Sequence, residues 1–166
     1  MVHPYTRFCA TFDYVGCYSY FLTFVTVDRQ EAFVDAIVVD LVRTQIWRAA
    51  SEKQFEILVS CFMPDHLHLV VRGLASDSNL KAFVKIAKQY AGFYYAQTHS
   101  GRKLWQHGIH DRIVRDEVEL LDHVRYVVNN PVAAGLADRP EDYPFLSSQR
   151  WLTPELVERC RTGTLE

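Results

Sequence analysis

The sequence has no CxxC pair, no internal repeat, no low-complexity tract, and no apolar run near the roughly 18 residues that a membrane span requires. Its four cysteines, Cys9, Cys17, Cys61 and Cys160, are spaced for neither a zinc site nor a disulfide framework. Free thiols in a reducing compartment are the simpler reading. No basic-then-apolar leader opens the chain, so a cytoplasmic protein is expected. There is also little net charge: −2 over 166 residues. That balance hides an asymmetry. Residues 72 to 115 carry eight Lys and Arg against two acids, a local +6 that leaves −8 on the remainder. A basic block on an acidic chain fits a polyanion site on one face, and equally a solvated helix face with ordinary lysines.

What is present is apolar and aromatic: 49% hydrophobic and 13% aromatic, in a chain long enough to bury a core without crosslinks. Residues 1–16 show no period and read as a loosely packed arm. Residues 17–28, "CYSYFLTFVTVD", are aromatic and β-branched on both faces, as in a central strand. Asp28 offers a helix N-cap. Residues 31–50 repeat apolar side chains at helical spacing, with Phe33, Ile37 and Leu41 beside Val34 and Val38. A second strand over 54–63 and a third over 66–73 are joined by Pro64-Asp65, which is hairpin chemistry. Residues 77–98 form a second helix, with Leu80, Phe83, Val84, Ala87 and Ala91 inward and Lys81, Lys85 and Lys88 on a common outer face. A short strand over 108–115 precedes a third helix over 116–130, which Pro131 ends. Residues 153–161 can form a last short helix. The order β-α-β-β-α-β predicts an α+β, ferredoxin-like antiparallel sheet. Two helices cover one face and the other is left open; a further, tyrosine-bearing helix follows. Residues 1–150 are expected to be one domain and 151–166 a C-terminal tail.

Two constellations carry chemistry. In "CFMPDHLHLVVRG", strand alternation sends Leu67, Leu69 and Val71 to one face and His66 and His68 to the other. Imidazoles at i and i+2 can share one divalent ion, or simply hydrogen-bond to solvent or backbone. In the third helix Tyr126 and Asn130 are four residues apart and share a face. The phenol can act as a nucleophile and the amide carbonyl can complete a metal's coordination. A core-rim tyrosine and a helix-ending asparagine are the bland alternatives.

With both constellations in view, the chain resembles the REP-associated tyrosine transposases of the IS200/IS605-like HUH single-strand nuclease superfamily. "YFLTFVTVDR", "FMPDHLHLVV", "LWQHGIHDRIVRDEVELLDHVRYVVNNPVAAGL" and "DYPFLSS" run in family order over residues 20–148. The resemblance implies that His66 and His68 are metal ligands of the HUH motif and that Tyr126 is the nucleophile. It places Asn130 as the third ligand, gives Trp105 a structural role, and makes Mg²⁺ or Mn²⁺ the expected ion. The implied activity is site-specific endonuclease and strand-transfer chemistry on single-stranded or hairpin DNA of repetitive palindromic elements. The intermediate would be a 5′-phosphotyrosine. Lys81, Lys85 and Lys88 would follow the DNA backbone, with Arg72, Arg112 and Arg115 near the sheet.

Relatives of this kind are bacterial and work beside the nucleoid, as monomers or homodimers. A phenol with an ordinary pKa near 10 is ionised in about one molecule per thousand at pH 7, so its activation must come from the site. Two other readings compete. One is a domesticated hairpin DNA- or RNA-binding module without cleavage; the strands carry no aromatic RNP motif. The other is an unrelated hydrolase using the two histidines with Asp65 or His110.

Overall fold

The computed structural model describes residues 8–165. Five antiparallel strands form one sheet: β1 (Ser19–Val25), β2 (Phe55–Met63), β3 (His66–Gly73), β4 (His110–Val114) and β5 (Leu146–Ser147). Their spatial order is β4-β1-β3-β2-β5. The helices are α1 (Ala36–Glu52), α2 (Leu80–Thr98), α3 (Glu117–Ala133) and α4 (Thr153–Thr162). The first four strands with α1 and α2 are the expected ferredoxin-like unit. The two-residue β5, which pairs with Ser60 and Cys61 of β2, extends it beyond what the pattern shows.

Strand alternation divides the core in two. Tyr20, Leu22 and Phe24 of β1 and Leu67, Leu69 and Val71 of β3 meet α1 and α2 in one cluster. Burying each such side chain contributes about 1.5–3 kcal/mol. On the other face Val59, Cys61 and Met63 of β2 and Val70 of β3 meet Leu120, Val124, Val127 and Val128 of α3. Trp151 and Leu156, Val157 and Cys160 of α4 close that second cluster. The histidine-bearing face is therefore covered in part, not open as expected. The alternation of β2 is apolar on this side too, and such a surface requires a covering layer.

Four local expectations are corrected. Residues 1–7 lie outside the described residues, but 8–16 are packed rather than loose. Tyr14 is buried, its ring meets Phe8, Phe12 and Tyr20, and its hydroxyl donates to Asp111 at 2.7 Å. Aromatic mass anchors this segment without any period. Asp28 sits at φ 51° in a 3-10 turn and caps nothing. The N-cap of α1 is Asp35, whose carboxylate accepts from the Ile37 amide at 2.8 Å. With α1 starting at residue 36, Phe33 and Val34 fall in a separate 3-10 turn, the buried side of the helix carries Val38, Val39, Val42 and Ile46, and Ile37 is 78% exposed. Pro131 does not end α3 but lies inside it. The helix ends four residues later in a left-handed Gly135 (φ 72°), where the Leu136 amide donates to Pro131 O at 2.8 Å and the Gly135 amide to Val132 O at 3.0 Å. That pair is the glycine-terminated helix stop. Asn130 is consequently a helical residue, one full turn after Tyr126.

Candidate active site

The β2–β3 turn brings the first histidine to the sheet's end. His66 pairs with Met63 on β2 and Val25 on β1; His68 pairs with Cys61 and Thr23. Each ring is held through Nδ1. The Asp65 carboxylate accepts from His66 Nδ1 at 2.6 Å, and His68 Nδ1 contacts Thr23 Oγ1 at 2.9 Å. Burial pushes the Asp65 carboxyl up, but the hydrogen bond and charge of His66 and the nearby Arg29 outweigh it and hold the pKa below the usual value. The carboxylate thus fixes the His66 tautomer with Nε2 bare.

The two Nε2 atoms face one another at 3.1 Å. His68 is 6% exposed, and burial together with the neighbouring His66 pushes its pKa down to about 3. It is neutral across the physiological range. Its Nε2–H donates to His66 in the free protein. In the other tautomer Nδ1–H donates to the Thr23 hydroxyl, and both Nε2 lone pairs are then free.

Two imidazole Nε2 atoms that converge in this way can share one divalent ion. Among the described residues no group of three or more His, Cys, Asp or Glu side chains gathers to hold a metal. Asn130, one turn after Tyr126 on α3, is half-buried.

Helix α3 carries the phenol to the pair. Asp116 caps it, accepting from the Glu119 amide at 2.8 Å, and Val124, Val127 and Val128 seat it on the sheet. Tyr126 falls on the side facing His68, with ring centroids 5.7 Å apart. It is 53% exposed and its hydroxyl has no hydrogen-bond partner among the described residues. Three buried tyrosines differ. Burial drives Tyr14, Tyr20 and Tyr143 well above the ordinary phenol range, and the Tyr143 hydroxyl is spent on Phe62 O at 2.6 Å.

Phe21, which pattern reading overlooked, joins these parts. Its ring stacks on His68 at 5.5 Å and on His123 at 5.0 Å, and meets Tyr126 edge-on at 5.8 Å. Alternation along β1 places Phe21 and Thr23 on the histidine face, a signal that was available in the sequence.

The basic residues divide. Arg72 and Arg112 share the histidine face: in register, Arg72 lies opposite Ser19 and Arg112 opposite Phe21. Arg72 donates to Glu117 at 2.9 Å and to Ser19 at 3.2 Å; Arg115 stands exposed just past β4. Lys81 and Lys85 are exposed on α2, against the opposite face of the sheet. Lys88 is not on a common outer face with them. Its Nζ is turned onto Gln106 O at 2.8 Å and Gly108 O at 2.6 Å, and burial, with the charge of Lys103, lowers its pKa to about 8. Two unsatisfied loop carbonyls beside α2 draw the ammonium inward.

Comparison with known proteins now bears on this arrangement. The model of the family described as "Transposase IS200 like" matches residues 14–130, a span that holds both histidines, Tyr126 and Asn130. The chain belongs to the IS200-like transposase family. It is 26% identical over 147 residues to a Haemophilus influenzae protein described as a REP-associated tyrosine transposase, covering 82% of this chain and 83% of that one. Its fold is shared with a REP-associated tyrosine transposase solved bound to a REP hairpin (TM-score 0.72, 20% identity, 90% of this chain and 84% of that one). A Deinococcus radiodurans transposase structure matches less closely (TM-score 0.52, 22% identity, 78% of this chain and 98% of that one). As an IS200-like transposase the chain is an enzyme. No helix among the described residues is long and apolar enough to cross a membrane.

Proposed function

We propose that this transposase is a metal-dependent single-stranded DNA endonuclease and strand transferase that acts at repeat hairpins through Tyr126. The observation that carries the reading is the placement of an exposed, unpartnered phenol ring against His68, whose Nε2 converges with that of His66. The hairpin-bound relative of the same fold supports hairpin DNA as the partner.

His66, His68 and Asn130 would hold a divalent ion, Mg²⁺ or Mn²⁺, which when bound supplies charge neutralisation at the scissile phosphate. The chain's own residues do the rest. Asp65 and Thr23 orient the imidazoles. Phe21 and the valines of α3 fix the height of Tyr126 above the sheet, so the attacking oxygen arrives prealigned. Arg72, Arg112 and Arg115 lie on or beside the same face and contact backbone phosphates.

Tyr126 Oη forms a bond to phosphorus as its proton passes to water, and the P–O3′ bond breaks as the leaving oxygen takes a proton. The products are a 5′-phosphotyrosine and a free 3′-OH. Attack by another 3′-OH reverses the balance and joins strands without ATP.

The test is incubation of a DNA hairpin bearing a single-stranded flank with Mn²⁺ and protein, read on a denaturing gel. Wild type is expected to form a covalent protein–DNA band that EDTA abolishes, and Tyr126→Phe to form none. Equal cutting by both proteins would overturn the reading. Binding without any cutting by wild type would make the chain a hairpin-binding module instead.

A further inference from the structure

A groove of about 470 Å³ lies on the α2 side of the sheet, between the C-terminal half of α2 and the loop that leads into β4. Its size is that of small-ligand sites, about 300–1,000 Å³. The groove is preformed because its loop is pinned on every side. Gln106 N donates to Val25 O at 2.9 Å, Leu104 O accepts from Val27 N at 2.9 Å, and the Gln30 side chain donates to Lys103 O at 3.0 Å. Lys88 ties down Gln106 and Gly108 from below.

Its chemistry is specific. The lining includes Gly92, Phe93, Arg102, Lys103, Trp105 and His107, and no acid. Phe93 is 56% exposed, although an aromatic ring on a helix normally turns inward. Trp105 is buried at the floor and its indole Nε1 has no hydrogen-bond partner. Gly92 keeps that floor bare: a Cβ there would meet only Trp105 Cδ1, at 3.7 Å. Arg102, Lys103 and His107 stand exposed at the mouth. An aromatic wall, an aromatic floor and a cationic mouth together are the features of a site for one base with its phosphate.

The groove opens at the active-site end of the sheet. Trp105 bridges to Thr26, and the Thr26 hydroxyl and amide both donate to Asp65 O, next to His66. We infer that this groove receives one unstacked nucleotide of the single strand beside the hairpin, its base against Phe93 and its phosphate on Arg102 and Lys103. The inference rests on the hairpin-DNA reading above, and adds a second contact point on the far side of the sheet from Tyr126.

Fluorescence anisotropy on two labelled probes tests it: a blunt hairpin, and the same hairpin with a short single-stranded flank. Gly92→Leu fills the groove, and Gly92→Ala is its control because the added methyl makes only ordinary contact. Gly92→Leu and, independently, the surface change Phe93→Ala are expected to weaken binding of the flanked hairpin by about tenfold to a hundredfold and to leave the blunt hairpin unchanged. The pair Arg102→Ala and Lys103→Ala, which share one phosphate, should lower the slope of log affinity against log salt by about 0.7 on the flanked probe alone. Unchanged binding of the flanked hairpin by both Gly92→Leu and Phe93→Ala would overturn the inference, as would equal losses on the two probes. Failure of wild type to bind either probe would instead remove the hairpin-DNA reading, and this inference with it.

Discussion

The two faces of the sheet are built from the same strands and differ in how completely they are dried. Beneath α1 and α2 the inward side chains of β1 and β3 are apolar but for the Tyr20 hydroxyl, and Leu22, Phe24, Leu67 and Leu69 are fully buried. Beneath α3 the same strands present Thr23, His66, His68 and Arg72 beside Phe21 and Val70. The first face has one task, which is to exclude water. The second is half core and half workplace: α3 and α4 seal β2 and β5, while the β3–β1–β4 side stays polar. A helix that must both seal a core and present a side chain to the polar half of the face can give only one side to each task. On α3 the valines at 124, 127 and 128 seal, and Tyr126 is delivered.

That contrast can be broken deliberately. The largest expected effect is chemical. Tyr126→Phe should remove covalent adduct formation altogether, at least a thousandfold, while the melting temperature stays within a degree or two, since the residue is half exposed and its hydroxyl bonds to nothing. Leu69→Ala, one strand position from His68 but facing α1 and α2, should do the reverse. It is expected to cost about 2–5 kcal/mol in urea unfolding and leave adduct yield per folded molecule unchanged. If Leu69→Ala silenced the chemistry in folded protein, the two faces would not be separable.

The pH dependence of stability sharpens the same contrast. Buried His68 stays neutral in the folded protein down to about pH 3, whereas an unfolded histidine takes up a proton near 6.5. The unfolded state therefore binds more protons as pH falls, and stability is lost on acidification from about 6.5 toward 3. Relative to pH 7 the expected loss is about 1 kcal/mol by pH 5.5 and about 2.5 kcal/mol by pH 4.5. Urea titrations in EDTA should show this slope in wild type and lose it in His68→Gln. A slope that persists in the variant would assign the proton elsewhere. Smaller again, Asn79→Ala removes the α2 cap, a 3.0 Å bond to the Ala82 amide, and should cost about 1 kcal/mol with no effect on chemistry.

Much of this was legible before any coordinates. Leu80, Phe83, Val84, Ala87 and Ala91 of α2 are all buried, as its regular apolar period implies, and Tyr95 joins them unannounced. The HLH alternation correctly separated the histidines from Leu67 and Leu69. Other features were hidden for identifiable reasons. In α1, Phe33, Val38 and Leu41 pack as the period implies, whereas Val34 and Ile37 are exposed, because the helix begins only after the Asp35 cap and its buried side is the one carrying Val38, Val39, Val42 and Ile46. Pro131 predicts a terminus, but the helix runs through it to a final turn closed at Gly135. The cover on the histidine face was missed because it comes from α3 and α4 packing on β2, a long-range contact that no local period announces. Lys88 was read from helical spacing alone, and the loop carbonyls that capture it lie 18 and 20 residues away in sequence. Phe21 was overlooked because one aromatic among many in β1 carries no mark of its own. Only its register opposite Val70 and Arg112 places it between His68, His123 and Tyr126.

The central claim is that Tyr126, set against His68 by α3 and Phe21, is the atom source for a covalent bond to DNA. Trapping the wild-type reaction on a flanked hairpin with Mn²⁺, digesting the adduct and sequencing the modified peptide by mass spectrometry tests this directly. The account predicts a single nucleotide-bearing peptide with the 5′-phosphate on Tyr126. A 5′-phosphate on any other residue, or cleaved DNA with no protein adduct, would contradict it.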